Sequence, residues 1–143
     1  MKIRYVALLV ASFWGGWGCA AHAQSAYQKV QPLLESSRTV LDEPLQWADG
    51  SSLQVLSTIV TITPGETTAW HKHGVPMYAY ILSGEVTVDY GEQGTRTFRA
   101  GTAMMEAMNH WHRGTNQGQE PVRILVVYMG SDPSRNVIVK ENK

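Results

Sequence analysis

The sequence predicts an all-β domain with the architecture of a β-sandwich or a small barrel. Short runs of β-branched and apolar residues recur at regular intervals after residue 39. Glycine or proline stands at nearly every junction between these runs, and no long stretch has the apolar period of an amphipathic helix. Short strands at regular spacing, separated by turn residues, are typical of sandwiches and barrels.

The amino terminus predicts a secretory signal peptide, residues 1–23. Lys2 and Arg4 give it a positive start, an apolar stretch follows, and Ala21-His22-Ala23 places small residues where signal peptidase reads them. The apolar stretch is too short and too rich in glycine for a good membrane span. We therefore expect cleavage after this triplet and a periplasmic or secreted protein without membrane contact. Lipidation at Cys19 is a minor alternative.

Removal of the signal leaves about 120 residues, enough for one compact domain with its own core. The signal carries two of the twelve basic residues, none of the twelve acidic residues and the one cysteine. The mature chain therefore has a net charge of −2 and no disulfide. Because nucleic acids and anionic membranes need a basic face, this charge disfavours both as partners and leaves a small molecule.

The mature chain is interpreted as an arm followed by a single domain. Residues 24–38 are polar with scattered leucines and one proline, which predicts an N-terminal arm or a short helix, and residues 39–143 form one domain. Six strand-like runs follow one another there, at 53–63, 77–82, 85–90, 95–100, 102–108 and 122–130. The second run is apolar on both faces, as expected of a strand between two layers or at a dimer contact.

The four histidines of the mature chain lie in two clusters, His71-Lys72-His73 and His110-Trp111-His112. Histidines two residues apart on a strand project to the same face of the sheet. Neutral imidazoles are good ligands for divalent first-row metals. Two such pairs, with no other histidine in the mature chain, indicate a metal site. The alternative is two surface or turn pairs that bind no metal.

The spacing around the first cluster resembles the first motif of the cupin superfamily. Five residues separate Gly65 from His71, and Gly84 follows His73 at the family's distance. The family's motif has a glutamate between its second histidine and its second glycine. Met77 stands at that position here, and Tyr78 stands where the longer form of the motif would put the glutamate.

The second cluster resembles the second cupin motif. Gly101 is followed at the family's spacing by Ala107, Asn109, His112 and Asn116. The family has proline at the position of Ala107 and glycine at the position of Asn109. The resemblance covers roughly residues 53 to 130, and it implies a small secreted cupin, a double-stranded β-helix of the jelly-roll type. Small cupins are often dimers, so the resemblance also implies a homodimer.

Carried over residue by residue, the resemblance makes His71, His73 and His112 ligands of one divalent transition metal ion. The missing glutamate leaves three alternatives. Glu106, the one acid between residues 102 and 112, ranks first as a substitute ligand or as the catalytic base, with His110 beside it as a further candidate. A plain three-histidine site ranks second. Ligation by the Met77 sulfur, which would favour reduced copper, ranks last.

The function that these features predict is a metal-dependent enzyme acting on a small molecule. The ion would act as a Lewis acid, with iron, manganese, nickel or copper favouring an oxygenase and zinc favouring an isomerase. The alternative is a non-catalytic cupin that captures a metal or a small ligand. A barrel whose site has decayed is the third possibility.

Overall fold

The computed structural model describes residues 26–38, 42–132 and 135–141. The predicted signal peptide, with Cys19, lies outside the described residues. The described part contains ten strands and one turn of 3-10 helix at Gly91–Gln93. The strands are β1 Lys29–Ser36, β2 Gln54–Ile62, β3 His71–Lys72, β4 Met77–Ser83, β5 Glu85–Asp89, β6 Thr95–Arg99, β7 Ala103–Met105, β8 Arg113–Thr115, β9 Val122–Gly130 and β10 Ile138–Val139. None of the described residues belongs to a helix long and apolar enough to cross a membrane.

Two antiparallel layers form the domain. The first is a five-stranded sheet with the order β1-β2-β9-β4-β7. The second contains the sheet β6-β5-β8 and the pair β10-β3. Backbone bridges from Thr67 to Thr115 and from His71 to His112 join the chain around β3 to the chain around β8. These bridges extend the second layer to the order β10-β3-β8-β5-β6.

The core lies between the layers because the strands alternate apolar inward residues with outward ones. Met77, Ala79 and Ile81 of β4 are at most 4% exposed, whereas the residues between them are half-buried. Strands β2, β5 and β9 follow the same period and complete one cluster with buried residues Val60, Ile62, Val86, Val88, Val122, Ile124, Val126 and Tyr128. The predicted all-β double-stranded β-helix is therefore confirmed.

The six strand-like runs predicted from the sequence coincide with β2, β4, β5, β6, β7 and β9. The fifth is shorter than predicted, since β7 ends at Met105. Beyond it the chain leaves the edge of the sheet, and Met108 instead forms a parallel bridge with His73. This change of partner carries the chain from the first layer towards the second.

The segment predicted as an arm or a short helix contains a strand. β1 pairs with β2 over its whole length, from Lys29 opposite Thr61 to Ser36 opposite Val55, so the helical alternative is wrong. The backbone of an otherwise unpaired sheet edge accepts such a strand whatever its side chains. Pro32 is compatible with this place because the register shifts directly after it, and proline is tolerated at edges and bulges.

Gly84, the second glycine of the first motif, forms the tight connection between β4 and β5. Its φ is 76°, in the left-handed region that favours glycine. A Cβ atom at this position would lie 3.0 Å from the Cα atom of Val122 and 3.1 Å from the Pro121 carbonyl oxygen. The residue therefore allows the backbone of β9 to approach, and it does not contact the histidines.

Candidate functional site

Two neighbouring backbones bring the two histidine clusters together. The His71 amide donates to the His112 carbonyl at 2.9 Å, and the His112 amide donates to the His71 carbonyl at 2.8 Å. Residues that exchange both backbone bonds carry their side chains on the same face. His73, two residues along, has its ring on that face too. The ring centroids are 4.5 to 5.2 Å apart.

Each of these imidazoles points its Nδ1 atom at a main-chain carbonyl. His71 faces the Ala69 oxygen at 2.8 Å, His73 the Asn136 oxygen at 2.6 Å, and His112 the His110 oxygen at 2.9 Å. A carbonyl only accepts, so Nδ1 carries the proton and donates, and Nε2 keeps its lone pair.

The three Nε2 atoms converge in the space between the layers. Those of His73 and His112 are 3.3 Å apart, and each of the three histidines has a ring nitrogen within 4.8 Å of one in each of the others. The three residues are between 0 and 3% exposed. Burial lowers the pKa of His71 from 6.5 to about 3 and that of His73 to about 4. Both rings are therefore neutral near pH 7.

Three Nε2 lone pairs that point into one space form a donor set for a metal ion. The lone pair of His71 also faces the Tyr27 hydroxyl, at 3.1 Å. Imidazole nitrogen is the donor that zinc, copper, iron and nickel accept readily, and a hydrogen-bonded Nδ1 is the usual outer-shell arrangement of a metal-bound histidine. His71, His73 and His112 could therefore hold one ion.

The loop before His112 explains one departure from the cupin motif, the asparagine at position 109. Asn109 has a φ of 61°, the left-handed conformation that asparagine tolerates best after glycine. Its amide donates to the His73 carbonyl at 3.0 Å, which joins the loop to the other ligand strand. Asn116 is 1% exposed, and its side-chain amide donates to the carbonyls of Ile62 and Glu120. Asn116 therefore holds the backbone in place and is not a metal ligand.

The other candidates from the sequence occupy different places. Met77 is 4% exposed and lines the same cavity as the three histidines. Tyr78 is half-buried on the opposite face of β4, where it pairs with Met105 and Val127. The His110 side chain is exposed and borders an outer groove, while its carbonyl holds His112.

Glu106 lies at the wall between the cavity and this outer groove. It is 8% exposed and borders both spaces. One carboxylate oxygen accepts from the Tyr90 hydroxyl at 2.8 Å and from the Ala107 amide at 2.7 Å. Burial and the charge of Glu106 raise the pKa of Tyr90 well above its usual value. The group of three histidines does not include Glu106.

Tyr27 and Tyr90 contact the site but are not among the residues predicted from the sequence. The Tyr27 hydroxyl lies 3.1 Å from the Nε2 atom of His71, with the two rings edge to face. Burial raises the pKa of Tyr27, with the neighbouring Tyr128 and Glu106 adding to the effect. The two-residue period of β5, with Val86 and Val88 inward, could have indicated Tyr90. No local pattern indicates Tyr27, since its position depends on how β1 pairs.

Apolar side chains form most of the cavity wall. The lining residues come from both layers and include Val60, Ile62, Val86, Val88, Ile124 and Val126. The cavity has a volume of about 40 Å³. An apolar wall with a few polar groups is typical of sites for small molecules.

Comparisons with known proteins agree with this architecture. The model of the cupin domain family matches residues 58–128. No curated protein sequence matches the chain. Among solved structures, an RmlC-like cupin family protein with a double-stranded β-helix fold from Methanocaldococcus jannaschii is 16% identical. The similarity covers 70% of this chain and 77% of that one, with a TM-score of 0.54.

Two further similar structures carry enzyme names. The polyketide cyclase RemF from Streptomyces resistomycificus is 26% identical, with 61% of this chain and 63% of that chain covered and a TM-score of 0.51. The oxalate decarboxylase from Lactobacillus farciminis is also 26% identical, with 59% of this chain covered, a TM-score of 0.51 and only 26% of its own length spanned. The similar structures agree with the two-layered fold, and the match to the cupin domain family shows that the chain belongs to the cupin superfamily.

Proposed function

We propose that the protein is a metal-dependent cupin enzyme that acts on a small molecule. The observation that supports it is the convergence of three buried imidazoles through their Nε2 atoms. Zinc, copper, manganese, nickel and iron all remain candidates. The ion would supply Lewis-acid polarisation of an oxygen atom on the bound molecule.

The chain's own residues define what else the site does. The apolar wall excludes water and strengthens electrostatic interactions inside it. The three carbonyls that accept from Nδ1 fix the ring orientations before any ligand arrives. Two similar proteins, named as a polyketide cyclase and an oxalate decarboxylase, support turnover of a small oxygen-rich compound.

Glu106 is our candidate for the catalytic base. Its buried carboxylate faces the cavity and is held by the Tyr90 hydroxyl and the Ala107 amide, so its position is fixed. A positioned base typically contributes about 10²–10⁴-fold to a proton transfer. Glu106→Gln keeps the shape but removes the basic oxygen, so we expect kcat to fall about 100-fold.

The readout for this variant separates chemistry from metal binding. Metal content and KM should stay close to the wild-type values, because Glu106 lies outside the group of three histidines. Ala107→Gly serves as the control, since it retains the amide that bonds Glu106. An unchanged kcat in Glu106→Gln would show that the carboxylate is not the base.

The proposed function is tested by elemental analysis of periplasmically produced protein, followed by turnover assays. We expect about one bound transition metal ion per chain. Oxygen consumption with phenolic and diketone compounds should report an oxygenase, and proton exchange or isomer formation in the same compounds should report an isomerase. Metal content that is unaffected by loss of His71 or His112 would refute the metal site.

The second candidate is a non-catalytic cupin that captures a metal or a small ligand. Met77 favours it, since a buried thioether occupies the place at which the family motif has its carboxylate. The two candidates differ in turnover alone. Metal binding without activity in any metal-loaded form would favour the capture function.

We also propose export and dimerisation. Export predicts that the mature protein begins at Gln24, which amino-terminal sequencing of periplasmic protein would test. The outer face of the five-stranded sheet is the proposed dimer surface, since it carries Tyr78 and Tyr80 with the exposed Leu82 and Met105. Light scattering that gives the monomer mass at micromolar concentration would contradict the dimer.

A further inference from the structure

Tyr27 is the side chain outside the histidine motifs that reaches a candidate ligand atom. Its hydroxyl oxygen lies 3.1 Å from the His71 Nε2 atom. The ring stands edge to face against the His71 ring, with centroids 5.2 Å apart. Tyr27 also lines the cavity that the three histidines share.

The protonation of His71 determines the direction of this hydrogen bond. His71 donates its Nδ1 proton to the Ala69 carbonyl, so its Nε2 atom can only accept. In the metal-free protein the Tyr27 hydroxyl must therefore donate to it. A metal ion would take the same lone pair, so the phenol oxygen would keep Tyr128 as its hydrogen-bond neighbour and lie next to the ion.

The other side-chain oxygens of the cavity form hydrogen bonds with groups other than the three histidines. Among the described lining residues, Tyr27, Thr68 and Glu106 carry such oxygens. The Thr68 hydroxyl accepts from the Gly114 amide and donates to the Ala69 carbonyl. Glu106 accepts from Tyr90 and from its neighbouring amide. Tyr27 alone of the three contacts a ring nitrogen of the histidine group.

The distances agree with adjacent ligands on one ion. With metal–ligand bonds of about 2.0–2.1 Å, neighbouring donors are separated by about 2.9 Å in an octahedron and about 3.4 Å in a tetrahedron. The oxygen of Tyr27 is 3.1 Å from Nε2 of His71, and the Nε2 atoms of His73 and His112 are 3.3 Å apart. Both separations lie within this range.

We propose that the Tyr27 hydroxyl oxygen is the fourth protein ligand of the metal ion, in place of the carboxylate that Met77 has replaced. The proposal rests on the proposed metal site. It makes the donor set three imidazoles and one phenol oxygen, which suits zinc, copper and iron better than magnesium or calcium. Met77 then has a packing role in the cavity wall.

The fold supports this position through β1. Tyr27 lies two residues before the first residue of the strand, and the pairing of Lys29 with Thr61 fixes where the chain enters the sheet. Ala26 is 4% exposed and belongs to the core. The backbone is therefore held on both sides of Tyr27.

The test measures zinc affinity by competition with a chromophoric chelator in wild type, Tyr27→Phe and Tyr90→Phe. We expect Tyr27→Phe to bind Zn²⁺ at least about tenfold more weakly, since a ligand is lost while the ring is kept. Tyr90→Phe is the matched control, because it removes a tyrosine hydroxyl of the neighbouring groove that bonds Glu106 and no histidine. Its affinity should be unchanged.

Two spectroscopic readouts keep the test independent of stability. The visible absorption of Co²⁺-loaded protein should differ between Tyr27→Phe and wild type but not between Tyr90→Phe and wild type. Zinc added to wild type should perturb the ultraviolet absorption of a tyrosine. Equal zinc affinity and equal cobalt spectra in Tyr27→Phe, or no tyrosine perturbation in wild type, would overturn the assignment of Tyr27 and leave the histidine site intact. Absence of zinc binding in wild type would overturn both.

Discussion

Replacing His73 or His112 with alanine should weaken zinc binding by about 70- to 900-fold. The free energy of a structural zinc site, about 10–16 kcal/mol, is shared by about four ligands, so one ligand contributes about 2.5–4 kcal/mol. Both side chains are buried with their Nε2 atoms 3.3 Å apart, so no other imidazole can move into the vacated place. Zinc is the probe because it has no geometric preference of its own.

His110→Ala provides the matched control for these variants. It lies in the same segment as His112, but its imidazole is exposed and only its carbonyl contributes to the site. Chelator competition should give the wild-type affinity for this variant, since the carbonyl is retained. Equal losses in His110→Ala and His112→Ala would mean that the effect comes from the loop and not from ligation.

The metal-free protein should lose about 4 kcal/mol of unfolding free energy between pH 7 and pH 5. Burial lowers the pKa of His71 to about 3 and of His73 to about 4, against 6.5 in the unfolded chain. Between these values the unfolded state binds more protons than the folded state. The stability contribution is therefore present above pH 6.5 and is lost as the pH falls towards the folded pKa values. Each histidine accounts for about 2 kcal/mol at pH 5.

Urea unfolding followed by tryptophan fluorescence, at a series of pH values in the presence of a chelator, measures this effect. The double variant His71→Gln/His73→Gln retains polar side chains of similar size that do not titrate. Its stability should change much less over the same interval. If its pH dependence matched that of the wild type, the buried histidines would not be the groups responsible.

Much of the core could be predicted because side-chain patterns report burial directly. Val86 and Val88 alternate with polar residues, and their strand faces water on one side. The ligand histidines could be grouped because their spacing matched a known pair of motifs, and the structure shows the geometric reason. His71 and His112 lie directly opposite each other in a backbone pair, so any motif that preserves this pairing brings the rings together.

The strand β1, the position of Tyr27 and the conformation of Asn109 depend on contacts between distant parts of the chain. A local sequence pattern does not predict such contacts. β1 has mostly exposed side chains, and it is a strand because the edge of β2 offers unpaired backbone groups. Tyr27 reaches His71 across 44 positions of sequence only once that strand is in place. Asn109 looked like a departure from the family motif, yet its φ of 61° shows that it adopts the conformation glycine would otherwise provide.

Main-chain oxygens orient the three imidazoles, and this limits how substitutions can alter the metal site. In many metal proteins the partner of a histidine ligand is a carboxylate, and a single substitution there alters the metal's affinity or reactivity. Here the partners are the main-chain oxygens of Ala69, His110 and Asn136. No side-chain replacement deletes a main-chain oxygen, so the orientation of the rings tolerates sequence drift at these positions. Adaptation of the site to another metal or substrate would instead proceed through the cavity wall and through backbone displacements.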